Sequence, residues 1–306
     1  MNFDDDFPGI SDYPYWRIST HHAQPVGELL EEGLAAAEIQ VKENTGITGI
    51  ATGFPKLDEM LLGLQFHELV LLVGRPSTGK TAFMLNLIKH IAVESHQGVL
   101  LFSPSMSRQE VVRRLLCLLG EVDVHRLRSG QLDGPRDYTS ISRAAGKLLK
   151  ANIYVDDTPG ICPLELTTRA LRYHAEWPLS LVIIDSLDTV APNGRPDDRY
   201  REWLKTLRCL KLFTMDCRVP VLALTSLSRF PRRKRWLAWR AIEHTADVTL
   251  KMQSGHQDSL QAHRVRLSVI QQRNGPTGSI ALDFEEALQR FTGSNRQAGG
   301  PHHNFI

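Results

Sequence analysis

An α/β fold, with a mostly parallel twisted sheet, helices on both faces and late antiparallel strands, is predicted by three observations. From about residue 47 onward, short apolar runs alternate with amphipathic helical segments. The early runs are apolar nearly throughout, as strands covered on both faces must be. The last three instead alternate polar with apolar residues, as antiparallel strands with one solvated face do.

The elements follow in order. "HELVLLVG" reads as a buried strand ending at Gly74, and "KTAFMLNLIKHIAVES" as a helix. "GVLLFS" is the second strand, followed by the helical "SRQEVVRRLLCLLG". "NIYVDD" is the third strand, with a helix in "PLELTTRALRYHAEW". "LSLVIIDSL" is the fourth and most apolar strand, and "DDRYREWLKTLRCLKLFTMD" is a long helix. "VPVLALTSL" is the fifth strand, and "ADVTLKM", "RVRLSVIQQ" and "GSIALDF" are the antiparallel ones. Residues 1–25 carry Pro, Gly, His and aromatics without period and read as an irregular arm. Residues 26–46 hold a short amphipathic helix, with Leu29, Leu30, Leu34 and Ile39 near helical spacing. The tail from 293 to 306 reads as disordered.

Composition narrows the function. A chain of 306 residues with 42% hydrophobic and 23% charged residues is ordinary globular material. A formal net charge of +2 is too small to announce a nucleic-acid partner by itself, so any basic surface must be local. Cys117, Cys162, Cys209 and Cys217 form no CxxC pair and have no metal-ligand spacing, and are expected as reduced thiols. No apolar run is long enough to span a bilayer, and the acidic start "MNFDDDFPGI" lacks the order of a secretory leader. A cytoplasmic location is expected.

The chemistry begins at "GRPSTGKTAF". Gly74, Gly79, Lys80 and Thr81 fit the phosphate-cradle spacing, between a buried strand and a helix. Glycines let the backbone turn its N–H groups toward phosphate, and the helix that follows points its positive end at the same anion. Gly74, Arg75, Pro76, Ser77, Thr78, Gly79, Lys80, Thr81 and Ala82 are therefore the predicted nucleotide-binding segment. Lys80 would reach the β- and γ-phosphates, and the Thr81 hydroxyl would ligate Mg²⁺. Asp185, after four apolar residues of the fourth strand, is the candidate carboxylate for the same ion. Asp156 and Asp157 also end a strand, but read as turn or cap residues.

With these residues stand "TGFPKLDEMLLGL", "RSGQLD", "LVIIDSL", "VPVLALTSLSR", "IEHTAD" and "QQRNGPTGSIALDF". Their order and spacing over residues 47–292 resemble the C-terminal RecA-like motor domain of the DnaB-type replicative helicases. The resemblance implies ATP and Mg²⁺ as cofactors, single-stranded DNA as partner, and a homo-oligomeric, hexamer-like ring or filament. Other replication or loading proteins are implied as further partners. It implies that Arg273, in "QQRNGP", is a finger acting in trans on a neighbour's nucleotide. The helix at 26–46 sits where that family keeps a linker helix, and the family's helical N-terminal domain has no counterpart in the arm before it.

The chain departs from the family at four places. Where the family has a glutamate after the second strand, to activate water, "FSPSM" puts Ser105. A serine hydroxyl is a poor base, and losing a general base costs on the order of 10²–10⁴-fold. Glu110, five residues on, is the alternative base. The family's glutamine after the fifth strand is Ser226, and its lysine two residues before the finger is Gln271. Its DNA-contacting loop becomes "SRFPRRKRWLAWRAIEHTAD". There Arg232, Arg233, Lys234, Arg235 and Arg240 interleave with Phe230, Trp236 and Trp239, giving cations for phosphates and rings for bases. The other reading of this run is a solvated loop anchored by its tryptophans. Two functions stay open: an ATP-driven helicase or translocase, and a hydrolysis-impaired protein that locks on DNA or regulates or loads another helicase.

Overall fold

The computed structural model describes residues 46–190, 199–229, 232–255 and 263–293, and in the amino-terminal part residues 23, 25–27, 30 and 34. The chain divides into two units, Met1–Thr48 and Gly49–Ile306. In the first, Val26, Gly27, Leu30 and Leu34 are helical, and Val26, Leu30 and Leu34 are exposed. Leu29 and Ile39, the irregular arm apart from residues 23 and 25, and the tail beyond Gly293 lie outside the described residues.

The second unit is a nine-stranded sheet in the order β3-β2-β4-β5-β1-β6-β7-β8-β9. The strands are β1 (Leu69–Gly74), β2 (Gly98–Phe102), β3 (Ile153–Asp156), β4 (Leu179–Ile184), β5 (Val221–Thr225), β6 (Val248–Ser254), β7 (His263–Gln272), β8 (Gly278–Glu285) and β9 (Arg290–Gly293). β1 to β6 are parallel to their neighbours, and β6 to β9 run antiparallel. The helices are α1 (Pro55–Leu61), α2 (Lys80–Ile88, continued as a π-helix to Glu94), α3 (Arg108–Gly120), α4 (Val124–Ser129), α5 (Gly134–Leu148), α6 (Pro163–Glu176), α7 (Arg199–Cys217) and α8 (Arg232–Thr245).

Alternating side chains of the central strands feed two cores, because successive residues point to opposite faces. Val70, Leu72, Val99, Leu101, Ile183 and Leu222 meet α1, α2 and α3 on one face. Leu69, Leu71, Leu100, Phe102, Val182 and Val221 meet α6, α7 and α8 on the other. This double cover is why β1, β2 and β5 are buried at every position. The loop after β1 leaves from the carboxyl edge of this doubly covered sheet, where open α/β sheets hold ligands.

The elements differ from expectation at three places in the chain. The basic run is helix α8 from Arg232, not a loop. Its Ala238, Ala241 and Ile242, at i, i+3 and i+4, are buried in the second core, and that burial holds the helix. Helices α4 and α5 fill the stretch before β3, with Pro135 in the first turn of α5. β9 adds a ninth strand that packs on α2 through Asn86, which donates to Gln289 O at 2.8 Å and accepts from Phe291 N at 3.1 Å. All four cysteines are free thiols. No described helix is long and apolar enough to cross a membrane.

Candidate nucleotide site

The cradle leaves β1 at Gly74 and enters α2 at Lys80. Ser77 and Gly79 adopt left-handed φ values of 62° and 89°. Gly79 is glycine for two reasons, the positive φ and the Phe291 ring, which a Cβ would meet at 3.0 Å. A Cβ on Gly74 would fall 2.8 Å from Thr78 Oγ1, inside the turn. Thr78 Oγ1 donates to Arg75 O at 2.9 Å and closes the loop. Arg75, Pro76 and Ser77 are exposed, and Ala82 is buried behind them.

Lys80 Nζ donates to Gly74 O at 2.9 Å and Arg75 O at 2.8 Å, so the ammonium lies against the loop that would hold phosphate. Burial lowers its pKa, while Asp188 and Asp185 oppose the shift. Thr81 Oγ1 donates to Asp185 Oδ2 at 2.8 Å. Asp185 follows β4 directly and is buried. Burial pushes its carboxyl up, against the Thr81 hydroxyl, Lys80 and Arg114. A carboxylate that loses hydration in this way gains from a cation beside it.

The donor set fits a nucleotide with Mg²⁺. The turn bends where a Cβ would fill it, and the two hard oxygens, from Thr81 and Asp185, suit an ion that takes few protein ligands and completes its shell with phosphate and water. Among the described residues no group of three or more His, Cys, Asp or Glu gathers. Bound there, the ion would supply charge to the phosphate oxygens.

Ser105 is also at this site, and its Oγ donates to the Asp185 main-chain oxygen at 3.0 Å. Glu110 is engaged elsewhere, accepting from Arg114 Nε at 2.9 Å and from Arg113 Nη1. Burial would raise its pKa, but the Arg114 hydrogen bond and the charges of Arg114 and Arg113 prevail and hold the carboxyl below the usual range. Asp188 was not singled out from sequence, although it stands three residues after Asp185. It accepts from Thr225 Oγ1 at 3.0 Å and Ser226 N at 2.9 Å, and ties β5 to β4 beside Lys80. Ser226 Oγ lies 2.7 Å from Ser228 Oγ.

Asp156 and Asp157 have structural partners. Arg169 and Tyr173 bond Asp156, and the Arg108 backbone and side chain bond Asp157.

Arg273 lies at the other edge of the sheet. Gln272 pairs with Val248, and Val248 with Val70, four residues before Gly74 along β1. At about 3.3 Å per residue, roughly 13 Å of strand separates the arginine from the start of its own cradle. Gln271 Nε2 donates to Glu243 O at 2.7 Å, and its Oε1 accepts from Thr249 at 3.2 Å, so this side chain is spent within the chain.

In α8, Arg235 and Arg240 are exposed. The Arg240 guanidinium lies 5.9 Å from the centre of the Trp236 ring. Trp236 is 55% exposed, whereas Trp239 packs on the second core. The two tryptophans thus divide the roles that the sequence left open, one anchoring and one facing solvent. The side chains of Arg232, Arg233 and Lys234 lie outside the described residues.

Comparisons with known proteins meet this geometry. The model of the "DnaB-like helicase C terminal domain" matches residues 49–293. The chain is 34% identical over 263 residues to a "Replicative DNA helicase DnaB" of Geobacillus stearothermophilus, covering 82% of this chain and 58% of that protein. It is 34% identical over 293 residues to a "Replicative DNA helicase DnaC" of Bacillus subtilis, covering 92% and 64%. The chain therefore spans about three fifths of the length of these relatives. Among solved structures, an isolated "ATPase Domain" superposes with a TM-score of 0.77 at 24% identity, covering 87% of this chain and 99% of that one, a likeness of fold. A "DnaB-Like Replicative Helicase", solved with its interactions with primase, gives 0.75 at 25% identity, over 89% and 67%. With the nine-stranded α/β sheet and a family match over nearly all its described core, the chain belongs to the DnaB-like helicase C-terminal domain family.

Proposed function

We propose that the chain is an ATP- and Mg²⁺-binding motor unit that assembles with copies of itself, as a hexamer-like ring or a filament, around single-stranded DNA. The observation that carries this reading is the separation of cradle and Arg273 at opposite edges of one sheet. An arginine so placed serves a γ-phosphate only across a seam between two copies, where it would stabilise charge developing in the transition state. Lys80 holds the phosphates, Thr81 and Asp185 hold Mg²⁺, and α8 offers Arg232, Arg233, Lys234, Arg235 and Arg240 to the DNA backbone. By analogy with the helicase solved with primase, other replication proteins would dock on the assembly.

A second reading, slow hydrolysis with retained ATP and DNA binding, is favoured by a specific observation. The position of the activating carboxylate carries Ser105, whose hydroxyl is bonded to a main-chain oxygen, while Glu110 is bound by two arginines. Steady-state turnover with and without single-stranded DNA separates the two. The motor reading expects DNA-stimulated turnover above that of Lys80→Ala, and turnover equal to that variant sinks it. If the base alone is missing, Ser105→Glu raises turnover by roughly tenfold or more. An unchanged rate would mean that Ser226 and Gln271 also limit the step.

A further inference from the structure

At the amino-terminal edge of the sheet, four charged groups gather around the start of β1 and β6. They are Glu68, Asp247, Lys211 and Arg273. Glu68 and Asp247 are both buried. Asp247 is fixed on three sides. Its Oδ2 accepts from Leu69 N at 2.8 Å and from Lys211 Nζ at 2.7 Å, and its own N donates to Leu69 O at 3.0 Å. Lys211 in turn donates to His67 O at 2.9 Å.

The other oxygen of Asp247 faces Arg273, with Oδ1 3.4 Å from Nε. Arg273 N donates to Asp247 O at 3.0 Å, and Nη2 donates to His244 O at 3.1 Å. The guanidinium is therefore gripped along one side, yet the side chain remains 48% exposed. A long flexible arginine loses rotamer freedom when it is ordered, and a scaffold that orders it beforehand removes that cost from a later contact.

We propose that Asp247 is the positioning residue of the intersubunit arginine. Its rigid carboxylate, tied to β1 through Leu69 and to α7 through Lys211, holds the Arg273 guanidinium ready for the γ-phosphate bound by a second copy. The inference rests on reading Arg273 as a group that acts across a seam. Glu68 adds a second buried carboxyl to the same cluster, and burial and the Asp247 charge push it up to about 7.

The test reads dissociation of fluorescent N-methylanthraniloyl derivatives of ATPγS and ADP, with Mg²⁺ and an oligo-dT strand, from the full chain. Arg273→Ala should speed ATPγS release by roughly tenfold or more and leave ADP release unchanged, because ADP lacks the phosphate the arginine meets. If it does not, the seam reading fails, and the inference with it. Asp247→Asn keeps one oxygen for Leu69 and Lys211 but turns an amide N–H₂ toward Arg273. It should reproduce most of the Arg273→Ala effect on ATPγS, spare ADP, and add nothing in the Arg273→Ala background. With Arg273→Ala active, an Asp247→Asn rate equal to wild type, or an effect that adds fully to that of Arg273→Ala, overturns the positioning role alone. If Asp247→Asn fails to fold because the Lys211 ammonium loses its counter-charge, Lys211→Met/Asp247→Asn is compared with Lys211→Met by the same criteria.

Discussion

Glu68 has no part in holding nucleotide, yet it shows how a single buried side chain is felt by the whole chain. Its pKa is raised from 4.5 to about 7, by burial first and by the neighbouring Asp247 second. The folded chain then binds more protons than the unfolded chain between those two values. Stability from this group is therefore lost as pH rises from about 4.5 to 7. Glu68→Gln should flatten that decline relative to wild type, measured as the urea midpoint across the range. Parallel slopes would mean that the carboxyl is not held in its neutral form. At this scale the sequence was most readable where chemistry is local. The spacing from Gly74 to Thr81 and the apolar run before Asp185 announce a hydroxyl and a carboxylate, which meet at 2.8 Å. Asp188 escaped because its role depends on β5 lying beside β4, a neighbour 37 residues away in the chain.

Among the elements, α8 departs most from expectation. Five cations and three rings in its stretch suggested a loop, yet Pro231 stands just before the first turn, and Ala238, Ala241 and Ile242 carry helical spacing. The apolar stripe is narrow and made partly of alanine, so charge hid it. The helix makes the two tryptophans separable by experiment. Trp239→Ala should lower stability by roughly 2–3 kcal/mol, through lost packing in the second core. Trp236→Ala should stay within about 0.5 kcal/mol, and should weaken single-stranded DNA binding through lost stacking. Replacing Arg232, Arg233 and Arg235 together by Ala should weaken binding further and flatten its salt dependence, by a log–log slope of about 2. Binding unchanged in both variants would return α8 to a purely structural element. The short strand β9 was not foreseen, since four residues carry too little period to read. Its place against α2 comes from Asn86 and the Phe83, Phe284 and Phe291 rings.

In the whole molecule, the parallel core was readable because strands buried on both faces have little choice of composition. The distance between Arg273 and the cradle was not readable, because it follows from the register of β1, β6 and β7. On the proposed reading, that register would leave the chain incomplete as a catalyst, with each half of the phosphate site on a different edge. The measurement that tests this most directly is the particle mass of the wild-type chain at saturating Mg·ATPγS and single-stranded DNA, beside Lys80→Ala and Arg273→Ala. Multi-copy particles are predicted for wild type, with a marked loss of them when either edge is disabled. A single-chain species that persists for wild type, or assemblies indifferent to both substitutions, would contradict a phosphate site shared between copies.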